Sequence, residues 1–162
     1  GVERMSFHLI QAASIMIILP LVSICIEYFR NKEVPLWMVI AKWVLFWSVG
    51  IRSLTAGIVQ MVYPAYTAEI IFHLSGTDYY IFVWELGVAN FAIGLSAIIS
   101  LRKINWRIPV AFISFIFNLF LSANHILNLQ AGFNEGVSLA GDLLVVVTLG
   151  YFLVRSYRES KV

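Results

Sequence analysis

Charge is scarce in this chain. Asp, Glu, Lys and Arg make up 12% of its 162 residues, where a soluble domain carries about 25%. So few charges cannot cover the surface of a water-soluble domain of this length. The 60% of hydrophobic residues and a mean hydropathy of +0.87 point to an integral membrane protein. Cysteine is nearly absent. The single Cys25 excludes an intrachain disulfide and any zinc site built on several thiolates; in an apolar run it reads as a packing residue. The net charge of +2 is too small for a nucleic-acid footprint, and the basic residues are not gathered in one patch. Also missing are a serine nucleophile motif, a His-Glu-x-x-His metalloprotease motif and a glycine-rich phosphate loop, so hydrolysis has little support. An intramembrane enzyme acting on a lipid or quinone stays a third reading, behind binding or transport and a structural role, because no nucleophile or redox centre is seen for it. A haem-ligating histidine pair is missing too, because His125 is the only histidine deep in an apolar run.

What is there instead is a set of long apolar runs. Five stand out, at about 5–29, 36–63, 79–101, 108–131 and 137–154, each long enough to cross a bilayer core as a helix. The first resembles a signal peptide in position only; its one-charge lead and the absence of a small-residue cleavage pattern make it a helix of the bundle. Pro20 is expected to kink it. Pro35 and Pro109 fall at helix starts, where a missing N–H costs little, and Pro64 ends the second helix. The segment at about 65–75 reads as a short amphipathic helix lying at the interface, stopped by Ser75–Gly76. The expected architecture is therefore an all-α integral membrane bundle of five transmembrane helices in a single domain, residues 1–162.

The basic residues set its orientation. Arg30 and Lys32 follow the first run, Arg102, Lys103 and Arg107 the third, and Arg155, Arg158 and Lys161 the fifth, while 64–78 and 132–136 contain no Lys or Arg. Five spans put all of these on one side, leaving Arg4 on the other. The positive-inside rule then places the N-terminus outside and the C-terminus in the cytoplasm. Trp37, Trp43, Trp47, Trp84 and Trp106 mostly lie near span ends, as aromatic belt residues do.

The third run, Tyr79 to Ser100, organises the rest. It holds Glu85 and Asn90 among apolar residues, and Gly87, Ala89, Ala92, Gly94, Ser96 and Ala97, the small residues that let another helix come close. Glu85 lies about 9 Å in from Tyr79 at 1.5 Å per residue. His125 in the fourth run and Asp142 in the fifth are expected at a similar depth. Ser114, Asn118, Ser122, His125 and Asn128 recur at spacings of three and four, one polar stripe along the fourth helix. The second helix offers Ser48, Arg52 and Thr55 on one face, and Gly50, Ser53, Gly57 and Gln60 on the adjoining one. Arg52 is the deepest charge and needs a partner, since an unpaired one there costs at least about 2.5–3.5 kcal/mol. Glu85 is the first candidate, then Asn90 or Asp142. Lys42, nearer a span end, can snorkel.

A layer of two carboxylates and an imidazole suits a divalent cation, with Glu85, His125 and Asp142 as metal ligands and asparagine oxygens completing the shell. The same groups suit a proton relay, because an imidazole titrates in the physiological range. They also suit a small polar ligand, with Arg52 on its anionic part and Asn90 and Asn118 beneath. Against these stands a structural reading, in which Arg52 and its partner fix helix register, the stripe is interhelical glue, and the chain is an accessory or assembly subunit of a larger membrane complex. Five helices are few for a complete transporter, which points to a homo-oligomer.

One set of motifs carries a resemblance. The run P-x-x-x-A-E-I-I from Pro64 to Ile71 is followed by W-E-L-G-V-A-N-F-A-I-G from Trp84 to Gly94, N-H-I at Asn124–Ile126 and G-D-L-L at Gly141–Leu144, with Arg52 and Gly57 upstream. In order and spacing these resemble an uncharacterised family of small prokaryotic membrane proteins, over about residues 48–153. The chain departs from that pattern at Phe72–His73, where glycine and tryptophan are expected, and in lacking a proline early in the fifth helix. The resemblance implies a membrane fold in the cytoplasmic membrane and marks residues, without supplying an activity.

Overall fold

The computed structural model describes residues 14–127 and 133–160, and among them the chain is all-α with no strand. The helices are α1 (Leu19–Arg30), α2 (Leu36–Val62), α3 (Tyr80–Ile99), α4 (Arg107–Leu127) and α5 (Phe133–Glu159). A π-helical turn, Ser14–Ile18, leads into α1, and a longer π stretch, Val44–Ile51, lies inside α2 and delivers Arg52. Pro35 caps the start of α2, where its fixed φ fits and no N–H is needed. As expected, α2 stops just before Pro64, and Tyr66–Ile71 forms a short π-helical segment. It ends in His73 and Gly76, both with positive φ.

Among the described residues four helices are long and apolar enough to cross a membrane, Leu36–Val62, Thr77–Ile99, Ile104–Leu127 and Ser138–Glu159. This differs from five. Of the first expected span only Ser14–Arg30 is described, about 25 Å of helix against a hydrocarbon core of about 30 Å. The residues before Ser14, Arg4 and His8 among them, lie outside the described residues, as does Asn128. The last helix also begins earlier than its hydropathy suggests, at Phe133 rather than Val137, and runs on to Glu159. A run of hydropathy marks the apolar centre of a helix, not the polar turns that continue it.

Two kinds of contact hold the bundle. The first is backbone proximity between α2 and α3. A β-carbon on Gly94 would stand 2.4 Å from the amide nitrogen of Leu54, and one on Gly57 2.5 Å from that of Phe91. Only glycine lets the two backbones meet this closely. The second is an apolar core in one half of the bundle, where Val44, Leu45 and Val49 of α2 meet Ala97 of α3, Val110 and Ala111 of α4, and Val145, Leu149 and Phe152 of α5. Both α4 and α5 continue their core-facing stripe into polar residues. On α5 the series Val145, Leu149, Phe152 begins one turn after Asp142, and on α4 Val110 and Ala111 are followed by Ser114, Asn118 and Ser122. A polar layer therefore rests on the apolar one.

A ladder of bonds stitches α1 to α2. Glu27 accepts from Lys42 Nζ at 2.7 Å and from Trp43 Nε1 at 2.6 Å, and Ser23 Oγ accepts from Trp47 Nε1 at 3.0 Å. Further along, Ser48 Oγ donates to the Met16 carbonyl at 3.0 Å. That carbonyl is available because residue 20, which would bond it in a regular helix, is a proline without an N–H. Lys42 is thus paired rather than snorkelling alone. Cys25 is exposed on α1 rather than packed. At the same end of the bundle Arg107 donates to the Ser100 and Leu101 carbonyls at 3.1 Å each, closing the end of α3, and Arg155 lies 5.6 Å over the Trp37 ring.

Candidate functional site

Arg52 lies ten residues from the end of α2, about 15 Å down the helix. Its Nη1 donates to Asp142 Oδ1 at 2.8 Å, and its Nη2 donates to Asn118 Oδ1 at 2.8 Å. Asn118 is in turn fixed by donating from Nδ2 to the Ser114 carbonyl one turn back. The second oxygen of Asp142 stands 3.6 Å from His125 Nε2, beyond a hydrogen bond but close enough for an ionic contact when the imidazole is charged. Three helices therefore meet at one guanidinium. Asp142 is 4% exposed and Arg52 25%. At this depth two opposite charges have to compensate one another, and here they do.

Sequence reasoning placed Asp142 after Glu85, level with Asn90, among the partners of Arg52, and the geometry of α2 shows why that order fails. Gly57 faces α3, and Arg52 stands about 140° round the helix from it at 100° per residue. The residue most attractive by charge, Glu85, is thereby on a helix that Arg52 does not face. Glu85 also lies about 160° round α3 from Gly87. Gly87 belongs to the buried face formed with Asn90, Gly94 and Ala97, so Glu85 is exposed. The cation cage of Glu85, His125 and Asp142 does not assemble. Among the described residues no three of His, Cys, Asp or Glu come together to hold a metal. Asn90 is buried but belongs to another seam, where its Nδ2 donates to Gln60 Oε1 at 2.9 Å. Of the six expected site residues the structure gathers four, Arg52, Asn118, His125 and Asp142, and separates Glu85 and Asn90 from them.

The stripe on α4 is buried as expected. Ser114, Asn118 and Ser122 are buried, and the hydroxyls of Ser114 and Ser122 have no hydrogen-bond partner among the described residues. Ser122 sits one turn from Asn118 and three residues from His125, between the two groups that reach Arg52 and Asp142. On α2, Ser48 and Arg52 face inward while Thr55 is exposed and bonds its own helix at the Ile51 and Arg52 carbonyls. Glu69 and His73 do not cap this site. Glu69 accepts a hydrogen bond from the Tyr80 hydroxyl, which ties the Tyr66–Ile71 segment to α3, and His73 is exposed.

Two further residues line the site that were not among the expected ones. Met16 is 4% exposed, with its sulfur 3.7 Å from Arg52 Nη1. Gly141, which opens the G-D-L-L motif just before Asp142, makes room for it: a β-carbon there would stand 1.6 Å from the Met16 methyl and 2.8 Å from its sulfur. For Met16 the hint in the sequence is Pro20, four residues later, which frees the carbonyl that Ser48 binds.

No curated protein and no solved structure matches the chain. Residues 10–162 match the family of unknown function DUF6790, and the chain belongs to that family.

Proposed function

We propose that this is a small integral membrane protein of five transmembrane helices, N-terminus outside, that binds a small polar ligand at the Arg52 network, with transport of that ligand as its extension. One observation carries the reading: a guanidinium about midway down α2 is met by groups from two further helices, with a histidine at the edge of the cluster. Ionisable groups inside a membrane are rare, and they mark ligand or ion pathways more often than not. The Ser122 hydroxyl beside the cluster supports it, since among the described residues it has no hydrogen-bond partner, and a buried polar atom left so is met by water or a guest. Arg52, Asn118, His125 and Asp142 are the binding residues in this reading. Because Asp142 already balances Arg52, the site favours an uncharged polar ligand over a free cation. The orientation rests on the basic residues that flank α1, α3 and α5 at the end where Arg155 meets Trp37.

Thermal unfolding of the detergent-solubilised protein against a panel of small polar solutes and divalent cations tests this. A ligand that binds only the native state raises the melting temperature with its concentration. The expected result is a shift with an uncharged solute that disappears in Asp142→Asn. A panel without any shift sinks the reading.

A second reading is an accessory subunit of a larger membrane complex, possessing no ligand. Its support is that both ends of the Arg52 guanidinium are already satisfied, as in an ion pair that only sets helix register, and that α4 turns Phe112, Ile113 and Phe120 outward. Co-purification of a stoichiometric partner favours it; a stable homo-oligomer after mild extraction counts against it.

A further inference from the structure

We propose that Met16 is a resident plug in a slot between Arg52 and Gly141, and that the ligand reaches Arg52 by displacing it. The slot lies between two walls. Gly141 supplies a wall without a side chain, and a β-carbon placed there would lie 3.8 Å from Arg52 Nη1, so whatever occupies this space touches the guanidinium. Asp142 holds that same nitrogen from the next position on α5. Met16 fills the remainder, its methyl standing almost where the Gly141 β-carbon would be.

Thioether sulfur is a weak acceptor. At 3.7 Å from Arg52 Nη1, Met16 contributes bulk more than a strong bond, and an oxygen in its place would make a better one. The side chain is also flexible and unbranched, suited to moving aside. It hangs from the turn whose carbonyl is tied to Ser48, next to Pro20, where the helical ladder of α1 is already interrupted. The ligand that fits is a small uncharged molecule with a carbonyl, hydroxyl or ether oxygen for Arg52 and one short apolar end for the space of the methylthio group. A net charge on it would unbalance the Arg52–Asp142 pair. This ligand class rests on the binding reading above, whereas the plug stands on geometry alone.

Butane-2,3-dione, an uncharged dicarbonyl that modifies arginine, tests the plug without the ligand in hand. Modification of Arg52 is measured by peptide mass spectrometry, with exposed Arg102 as internal reference. The expected result is severalfold faster modification of Arg52 in Met16→Ala, no change in Met16→Leu, which refills the slot, and no change at Arg102. A stability cycle provides the second measurement: Gly141→Ala lowers the melting temperature of the parent modestly, since the thioether end of Met16 can swing aside, and does not lower that of Met16→Ala, because the clash it creates is with Met16. Equal modification of Arg52 in the parent and Met16→Ala, or additive stability losses in the cycle, overturns the plug. A passed cycle together with a solute panel that shifts nothing would keep the plug and remove the ligand.

Discussion

Arg52 and Asp142 meet at 2.8 Å across ninety positions of sequence, and the pair joins α2 to α5 above the apolar core. Removing one partner leaves the other charge uncompensated. Arg52→Leu strands the 4% exposed Asp142 and is expected to destabilise the protein by about 3–5 kcal/mol, and Asp142→Leu by less, since Arg52 is 25% exposed. The double variant Arg52→Met/Asp142→Leu should recover most of that loss, because it removes both charges together. Equilibrium unfolding in mixed micelles measures all three. A double variant as unstable as the sum of the singles would show that the pair is not the unit described here.

The approach of α2 to α3 makes a different prediction. Gly57→Ala and Gly94→Ala each place a methyl group under 3 Å from backbone atoms, and backbone cannot swing aside. Each should cost about 1–3 kcal/mol, the range for overpacking. Gly136→Ala, with nothing among the described residues within 4 Å of the new atom, should be neutral or stabilising by up to about 1 kcal/mol, since alanine is the better helix former. Thermal melts of the three variants side by side decide it.

Gln60 and Asn90 form a buried polar contact between α2 and α3. Interhelical hydrogen bonds in membranes average about 0.6 kcal/mol and reach about 1.7. Gln60→Leu and Asn90→Leu should each lie within that span, and their double-mutant coupling energy should be no larger. A coupling several times greater would mean that the pair belongs to a wider network.

Glu85 tests where the site ends. Being exposed on α3 and away from Arg52, Glu85→Gln is expected to change stability by less than about 0.5 kcal/mol and to leave any solute-induced melting shift intact. Loss of that shift would bring Glu85 back into the site. Glu27 offers a useful contrast. It is paired with Lys42, yet both side chains are about one-fifth exposed, 21% for Lys42 and 19% for Glu27. Lys42→Met should therefore cost about 1 kcal/mol or less, as for a solvent-screened pair, with Trp43 still donating to Glu27.

Much of this was legible from residue order. Apolar length located the four describable spans, Pro35 and Pro64 bounded α2, and the three-and-four spacing of Ser114, Asn118 and Ser122 marked the inner face of α4. That α3 admits a neighbour closely was legible as well, in Gly87 and Gly94, but not that the neighbour is α2. The choice of partners was not. Glu85 looked like the natural counter-charge for Arg52 because both are ionisable and near in depth, but depth along a helix says nothing about rotation around it.

Sequence by itself determined that the chain forms apolar helices, which faces of α2 and α4 are polar, and that Arg52 requires a partner inside the bundle. These follow from local periodicity and from the cost of charge away from water. Only the tertiary structure decided that Asp142 and Asn118 are those partners, that Asn90 turns to Gln60, and that Met16 lies against Gly141. Each of these depends on which helices are neighbours and at what rotation, and that is fixed by the packing of glycine faces and the apolar core between residues far apart in the chain.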